Sequence, residues 1–241
     1  MKKFALIGNP ISHSQSPKLF KEAFPDSDMS YDLVERPTVE ESFTCLKEKG
    51  YSGANVTSPF KESVMQFVTH PDETTKTLGA TNLILFKSNR IYSYNTDYLA
   101  VRRIIRELNN ISSAIVIGCG GAGKAAALAC KDEGLETLIT NRTQKKAKDF
   151  AKHIGIKAIS IAEAKLLLEN SKGILAIYAI PEADGILSDT LKNKKQSSDI
   201  TIIEANYKDP CLNPESGLKW LKYQAEESFK LFGCSGYEIL S

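Results

Sequence analysis

The chain has 241 residues, of which 42% are hydrophobic and 25% charged, and its formal net charge at neutral pH is +2. This is the composition of an ordinary globular protein, and it excludes a disordered, collagen-like or coiled-coil chain. The near-neutral charge argues against a nucleic-acid partner. Since no apolar run approaches the ~18 residues of a bilayer span, no membrane helix is predicted.

The N-terminus and the cysteines indicate the cellular compartment. The first apolar stretch, Phe4–Ile7, has four residues, whereas a signal peptide needs about 7–15. The five cysteines are scattered without a C-x-x-C pair, and the three histidines show no metal-ligand spacing. We therefore expect a cytoplasmic protein with free thiols and without a metal site.

Short apolar runs alternate with helical periodicity along the first half of the chain. The helical pattern predicts helices at Pro17–Phe24, Val39–Lys49, Pro59–Val68 and Tyr98–Leu108. The apolar runs predict strands at Phe4–Ile7, Tyr31–Glu35, Ala54–Val56, Leu83–Phe86 and Ile91–Tyr94, with a hairpin turn at Ser88–Arg90 between the last two.

The second half repeats this alternation. We predict strands at Ala114–Ile117, Glu136–Thr140, Ile156–Ile159, Ile174–Tyr178 and Ile200–Glu204, helices at Ala122–Glu133, Lys145–His153 and from Glu215 onward, and a solvated loop at Lys192–Ser198. Strands separated by helices imply right-handed crossovers and parallel pairing. The pattern predicts an α/β fold of two units in series, joined near Asp97–Leu108.

A glycine-rich turn, Gly118-Cys119-Gly120-Gly121-Ala122-Gly123, stands between a predicted strand and an Ala-rich helix. In this context G-x-G-x-x-G predicts a dinucleotide site. The first glycine permits the tight turn, the second lets a pyrophosphate approach the backbone, and the third permits close packing of helix on strand. A purely structural glycine-rich turn is the alternative.

The segment after the next strand, Asn141-Arg142-Thr143, indicates which dinucleotide is bound. An NAD site usually carries an acidic residue about 20 residues beyond the glycines. A guanidinium at this point instead offers paired donors to a 2′-phosphate, so we predict NADP. The alternative is a basic first turn on a solvated helix, which would oppose the helix dipole.

Two polar segments of the first half are candidate site regions. Ser16, followed by Pro17, is typical of a helix N-cap, but hydroxyls beside a helix N-terminus also suit a small carboxylate. Lys61 is predicted in the first turn of a helix, which disfavours a cation by about 0.3–1 kcal/mol. Because local rules fail most often at functional sites, Lys61 is a candidate proton donor. Asp97 either caps a helix or holds Lys61 protonated.

Taken in order, these motifs resemble the shikimate dehydrogenase family. The resemblance runs almost from end to end of the chain. It is carried by Gly8-Asn9-Pro10, Ser14-Gln15-Ser16-Pro17, Asn55-Val56-Thr57-Ser58-Pro59-Phe60-Lys61, Gly79-Ala80-Thr81-Asn82, Asn95-Thr96-Asp97, Gly118–Gly123, Asn141-Arg142-Thr143 and Gln224-Ala225.

The resemblance implies NADPH-dependent, reversible reduction of 3-dehydroshikimate to shikimate in aromatic amino-acid biosynthesis. It implies a small-molecule substrate, no nucleic-acid or membrane partner, and a monomer or homodimer. Lys61 and Asp97 would be the catalytic pair. Substrate would be bound by Ser14 and Ser16 at its carboxylate, by Thr57, Asn82 and Gln224 at its ring hydroxyls, and by Asn55 and Tyr207. NADP would be bound by Gly118, Gly120, Gly121, Ala122, Gly123, Asn141, Arg142 and Thr143.

The resemblance also implies a domain plan. Residues 1–98 with 214–241 would form a three-layer α/β substrate-binding and catalytic domain. Residues 99–213 would form a Rossmann-type, doubly wound NADP-binding domain.

Departures from the family pattern lie on the cofactor side. Tyr178-Ala179-Ile180-Pro181 stands where the family has an Asn-Ala-Thr turn, Tyr98 replaces a small residue, and Gly217-Leu218-Lys219-Trp220 replaces a Gly-Leu-Gly-Met-like stretch. Bulk near the nicotinamide would hinder hydride transfer. One alternative is therefore a catalytically weakened shikimate-binding protein, and another is a quinate/shikimate dehydrogenase with relaxed cofactor use.

Overall fold

The computed structural model describes residues 2–181, 185–194 and 200–233. The chain divides into two compact units, the first made of Met1–Thr96 with Gln224–Ser241 and the second of Asp97–Tyr223. Each unit is built around a sheet of its own, which confirms the prediction of an α/β fold with two units.

The first unit contains a six-stranded mixed sheet. Its strands are β1 (Lys3–Gly8), β2 (Ser30–Glu35), β3 (Gly53–Val56), β4 (His70–Pro71), β5 (Leu83–Lys87) and β6 (Arg90–Tyr94), in the order β2-β1-β3-β5-β6-β4. β1 pairs in parallel with β2 and β3, whereas β5 runs antiparallel to β3 and β6. The predicted hairpin between β5 and β6 is confirmed. Ser88 and Asn89 form its two-residue turn with φ of 46° and 60°, as a tight hairpin of this kind requires.

Helices cover both faces of this sheet, which gives the predicted three layers. The helices are α1 (Ser16–Ala23), α2 (Val39–Glu48), α3 (Glu73–Leu78) and the end of α9 (Pro214–Leu231); α4 (Thr96–Arg106) begins at Thr96, where the first segment of this unit ends. Side chains alternate between the faces along β1. Ala5 and Ile7 pack with Phe43 of α2, and Phe4 packs with Phe20 of α1 and Phe229 of α9.

The predicted helix at Pro59–Val68 is wrong. Residues 59–62 form a turn, and a short 3₁₀ helix, Ser63–Phe67, follows it. In this segment the amide of Met65 bonds the carbonyl three residues before it, at 3.2 Å. Phe60 and Val64 are nevertheless buried in the core against α2. The apolar spacing thus reported burial correctly but not the helix type.

The second unit is a doubly wound parallel sheet, as predicted for a Rossmann-type domain. Its strands are β7 (Ser113–Ile117), β8 (Glu136–Thr140), β9 (Lys157–Ala158), β10 (Ile174–Tyr178) and β11 (Ile200–Glu204), in the order β11-β10-β7-β8-β9. Counted from β7, this is the order 5-4-1-2-3 of dinucleotide-binding sheets, in which ligands bind where the strand order reverses, at β7 and β10.

The remaining helices of this unit connect its strands. They are α5 (Gly121–Asp132), α6 (Gln144–Ile154), α7 (Ile161–Asn170) and α8 (Leu187–Lys194). The predicted loop at Lys192–Ser198 is wrong for its first three residues, which belong to α8. Leu187 and Leu191 form the buried face of this helix. The polar residues at its end led to the prediction of a loop. Residues 195–198 lie outside the described part of the chain.

Candidate active site

The loop after β1 carries two adjacent serine hydroxyls. The Oγ atoms of Ser14 and Ser16 lie 3.2 Å apart, and the carboxylate of Glu35 holds the loop by accepting the amides of Ile11 (2.7 Å) and Ser12 (3.0 Å). The N-cap prediction for Ser16 is wrong. The cap is the preceding residue, it makes no side-chain bond to the helix, and Ser16 is the first residue of α1. The serine pair therefore stands at a helix N-terminus that favours an anion.

A buried amide–hydroxyl network lies just before the start of β5 and centres on Asn82, which is 2% exposed. Its Nδ2 donates to Thr96 Oγ1 (2.9 Å) and to Gln224 Oε1 (3.4 Å), and its Oδ1 accepts the Thr96 amide (2.7 Å). These contacts fix the orientation of the Asn82 amide. They also bring together Asn82 and Gln224, two of the predicted substrate ligands, which are 142 residues apart in the chain.

Asn55 joins the same network from β3. Its Nδ2 donates to Ser228 Oγ at 2.8 Å, and its Oδ1 accepts the hydroxyl of Tyr31 at 2.9 Å. Ser228 Oγ lies 3.1 Å from Thr96 Oγ1. Tyr31, Thr96 and Ser228 were not among the predicted site residues, because nothing local in the sequence shows that they meet Asn55 and Asn82.

Thr57 and Lys61 follow β3 in a tightly packed turn. The amide of Thr57 bonds the carbonyl of Ile7 (2.9 Å), and a Cβ at Gly8 would lie 2.4 Å from the Thr57 methyl group. The carbonyl of Lys61 accepts the amide of Thr81 at 2.9 Å, which ties it to the Gly79–Asn82 segment. Lys61 lies in a turn and not, as was predicted, in the first turn of an α-helix, so no helix dipole disfavours its charge.

Asp97, the second residue of α4, is buried at 6% exposure. Its Oδ1 accepts a hydrogen bond from the indole Nε1 of Trp220 at 3.0 Å. Trp220 lies on α9 and is itself 3% exposed. Sequence reasoning noted Trp220 only as a departure from the family pattern and missed this contact.

The glycine-rich loop has the geometry that the dinucleotide prediction requires. Gly118 has φ of +111°, and a Cβ at Gly123 would lie 2.1 Å from the Gly118 carbonyl oxygen, so helix and strand approach closely there. A Cβ at Gly120 would meet no atom within 4 Å. The space before the first turn of α5 is therefore open to a phosphate, and the amides at the helix start suit one.

The segment after β8 borders this loop. Asn141 Oδ1 accepts the amide of Cys119 (3.1 Å), and its Nδ2 donates to the carbonyl of Thr143 (3.2 Å). Arg142 and Thr143 are exposed. Asn141 thus braces the phosphate loop, while the Arg142 guanidinium remains accessible to a ligand.

The two bulky departures on the cofactor side have places within the second unit. Tyr98 donates its hydroxyl to Asp132 Oδ2 at 2.7 Å. Asp132 is the last residue of α5, roughly 17 Å along the helix from the phosphate loop. Tyr178 is fully buried in the core with Ile117 and Ile202. Tyr98 thus contacts the C-terminal end of α5, and the Tyr178 ring lies within the hydrophobic core.

Tyr207 lies in the segment that connects β11 to α9. Glu204 is fully buried, and its carboxylate accepts the amides of Cys211, Leu212 and Asn213 at 2.8–2.9 Å. The segment that carries Tyr207 is thus held by a charged acceptor. Sequence reasoning treated Glu204 as the end of a strand and missed this role.

Among the residues that the structure describes, no helix is long and apolar enough to cross a bilayer, and no three His, Cys, Asp or Glu side chains are grouped as metal ligands. Cys45, Cys130 and Cys211 carry free thiols. The Sγ of Cys119 donates to the carbonyl of Lys146 at 3.6 Å, and Cys234 lies outside the described part of the chain.

Two family models match the chain. The model described as the shikimate dehydrogenase substrate binding domain matches residues 6–84. The model described as the NADPH-binding domain of acetohydroxy acid isomeroreductase matches residues 108–182. The first match covers the serine pair, Lys61 and Asn82, and the second covers the glycine loop and Arg142.

Known shikimate dehydrogenases match more of the chain than the first family model does. The shikimate dehydrogenase (NADP+) of Methanococcoides burtonii is 30% identical over 255 residues, which cover 96% of this chain and 93% of that protein. The enzyme of the same name from Syntrophobacter fumaroxidans is 31% identical over 163 residues, 66% of this chain and 57% of its own length. The chain thus spans little more than half of this second relative.

The fold is also similar to that of solved shikimate dehydrogenases. A crystal structure of a shikimate dehydrogenase in complex with NADP+ is 25% identical and superposes with a TM-score of 0.82, over 99% of this chain and 92% of that one. The agreement extends over both units and does not depend on a single motif. The chain therefore belongs to the shikimate dehydrogenase family.

Proposed function

We propose that the chain is an NADP-dependent shikimate dehydrogenase, which reduces 3-dehydroshikimate reversibly to shikimate in aromatic amino-acid biosynthesis. The observation that supports this most directly is the buried amide–hydroxyl network of Asn55, Asn82, Thr96 and Gln224. The network fixes the orientation of these side chains, and amide and hydroxyl groups are the kinds of donor and acceptor that recognise a polyhydroxylated ring. We assign residues 1–98 with 214–241 to the substrate and residues 99–213 to NADP.

In this proposal each polar group of the first unit has a partner on the substrate. The hydroxyls of Ser14 and Ser16 donate to the carboxylate at the N-terminus of α1. Thr57, Asn82 and Gln224 bind the ring hydroxyls, and Asn55 completes this set. We assign Tyr207 to the carboxylate end as well, because its segment is held in place by Glu204.

Lys61 and Asp97 carry out the proton transfer in this mechanism. When bound, NADPH supplies the hydride that reduces the carbonyl carbon to an alcohol. The ammonium of Lys61 stabilises the negative charge that develops on the carbonyl oxygen and donates the proton that completes the hydroxyl. We assign the Asp97 carboxylate as the partner of Lys61 in this proton transfer. In the oxidation direction Lys61 accepts the hydroxyl proton.

A steady-state assay tests the proposal. The purified protein should oxidise shikimate with NADP+, and Lys61→Ala should lower kcat by about 10²–10⁴-fold with a much smaller change in KM. Lys76→Ala is the control, because Lys76 makes an exposed ion pair within α3 that contributes little. Near-normal kcat in Lys61→Ala would remove Lys61 from its role. No turnover of shikimate by the wild type would refute the proposed function.

Arg142 tests the choice of cofactor. Arg142→Asp should raise the KM for NADP+ at least tenfold and leave the KM for NAD+ nearly unchanged, because only NADP+ carries the 2′-phosphate. Arg90→Asp, at the exposed hairpin between β5 and β6, is a matched charge reversal that should alter neither KM. Equal losses for both cofactors in Arg142→Asp would contradict the assignment.

The two alternatives make different predictions in the same assay. The weakened shikimate-binding protein, an alternative based on the bulk of Tyr98 and Tyr178, would not oxidise shikimate in this assay. The rings of these two residues lie at the far end of α5 and in the core of the second unit. A relaxed quinate/shikimate dehydrogenase would give comparable kcat/KM for both substrates and both cofactors. We also propose a cytoplasmic location, because five scattered cysteines without a C-x-x-C pair suit a reducing compartment. A monomer or homodimer stays a prediction.

A further inference from the structure

The hydrogen bond from Trp220 to Asp97 assigns a role to a residue that the family pattern does not predict. Trp220 is the only tryptophan of the chain. It is buried, and its Nε1 donates to Asp97 Oδ1 at 3.0 Å. We propose that Trp220 is a positioning residue, which orients the Asp97 carboxylate for the reaction. This inference rests on the proposed function of Asp97.

The chemistry of the two groups supports this assignment. An indole N–H can only donate a hydrogen bond, and an ionised carboxylate can only accept one, so the direction of the bond is not in doubt. A bond to a charged acceptor is stronger than one between neutral groups. Because Oδ1 is held by a bulky buried ring, the plane of the carboxylate is fixed, and the direction of Oδ2 is fixed with it.

The backbone of Trp220 is anchored independently of its indole N–H. Tyr223, on the same helix, donates its hydroxyl to Glu107 at 2.8 Å, and the guanidinium of Arg103 lies 3.7 Å from the centre of the Tyr223 ring. Lys219 makes an ion pair with Glu107. These contacts join α9 to α4, so that the loss of one donor atom at Trp220 leaves the two helices packed.

Matched variants test the effect on catalysis. Trp220→Phe keeps an aromatic ring but removes the donor, and we expect kcat for shikimate oxidation to fall about tenfold with KM changed less than about twofold. Tyr223→Phe removes a hydrogen bond from α9 to Glu107, the residue after α4, without touching Asp97 and should leave kcat and KM unchanged. Equal kcat in Trp220→Phe and the wild type would overturn the inference.

A spectroscopic measurement tests the contact without turnover. With a single tryptophan, the ¹⁵N-labelled protein gives one indole N–H cross-peak, and Asp97→Asn should move its proton resonance upfield because a charged acceptor is lost. Asp132→Asn, which removes the charged acceptor of Tyr98, should leave this cross-peak in place. An unmoved peak in Asp97→Asn would refute the contact. If the wild type were inactive but Asp97→Asn still moved the peak, the proposed function would be refuted and the Trp220–Asp97 bond would stand.

Discussion

At the scale of single residues, Tyr98 shows how a departure from a family pattern finds a structural use. Its hydroxyl donates to Asp132, and burial together with this bond raises its pKa to about 12. Tyr98→Phe should lower the free energy of unfolding by about 1–2 kcal/mol and leave the KM for NADP+ unchanged. Chemical denaturation and steady-state kinetics check the two halves. A large change in KM would instead put Tyr98 near the nicotinamide.

Some site residues can be recognised from a local sequence motif, whereas others are defined only by a partner that is distant in the chain. Lys61, Asp97 and the glycine loop lie in contiguous motifs, so the sequence alone could nominate them. Trp220 could not be nominated, because its partner is 123 residues away. The same is true of Ser228, which meets Asn55 across 173 residues. A hydrogen bond between distant segments leaves no local pattern, whereas a turn or a phosphate loop does.

At the scale of elements, the glycine loop must meet two requirements in one turn: close packing of helix on strand at Gly123 and access for the pyrophosphate at Gly120. Gly123→Ala places a methyl group against the Gly118 carbonyl and should cost about 1–3 kcal/mol of stability. Gly120→Ala meets open space and adopts an ordinary extended backbone, so its stability should stay within about 0.5 kcal/mol of the wild type. Its KM for NADP+ should nevertheless rise, because the pyrophosphate approaches there.

Thermal denaturation and NADP+ kinetics separate these effects. The expected pattern is an unstable protein for Gly123→Ala and a stable, weakly binding one for Gly120→Ala. If Gly120→Ala bound NADP+ normally, the assignment of the open space to the pyrophosphate would be wrong.

At this scale, the hydrophobic pattern of the sequence predicts fully buried strands well. β7 and β10 consist almost entirely of buried residues, and both strands were predicted within one residue of their observed bounds. The 59–68 segment shows the limit, since its spacing fits a helix although the backbone is a turn and a 3₁₀ helix. Helix α7 was missed although Ser160 and Glu163 form a capping box at its start, a signal present in the sequence.

At the scale of the whole molecule, acid should weaken the fold through Glu133. A hydrogen bond from Arg106 lowers the pKa of this carboxyl group below its ordinary value of 4.5; burial opposes the shift, and Arg102 adds to it. A group whose pKa is lowered by folding stabilises the protein above its unfolded value, and this contribution is lost as pH falls through the folded value.

Glu133→Gln tests this dependence. The variant should lose about 1–2 kcal/mol of stability at neutral pH, and its deficit relative to the wild type should shrink as pH falls below about 4.5. Urea denaturation across this range measures both. Glu136→Gln, at an exposed position in β8, is the control and should follow the wild type. A deficit that stays constant with pH would exclude Glu133 as a source of acid sensitivity.

Because the chain has one tryptophan, and it lies against Asp97, the protein carries its own optical probe. Light absorbed at the red edge of the aromatic band excites a single indole beside the proposed proton relay. The absorption of a reduced nicotinamide overlaps indole emission, so binding of NADPH should quench this fluorescence. Binding of shikimate, whose proposed site includes Asp97, should shift the emission wavelength. Binding to each half of the molecule could then be followed in real time without a label.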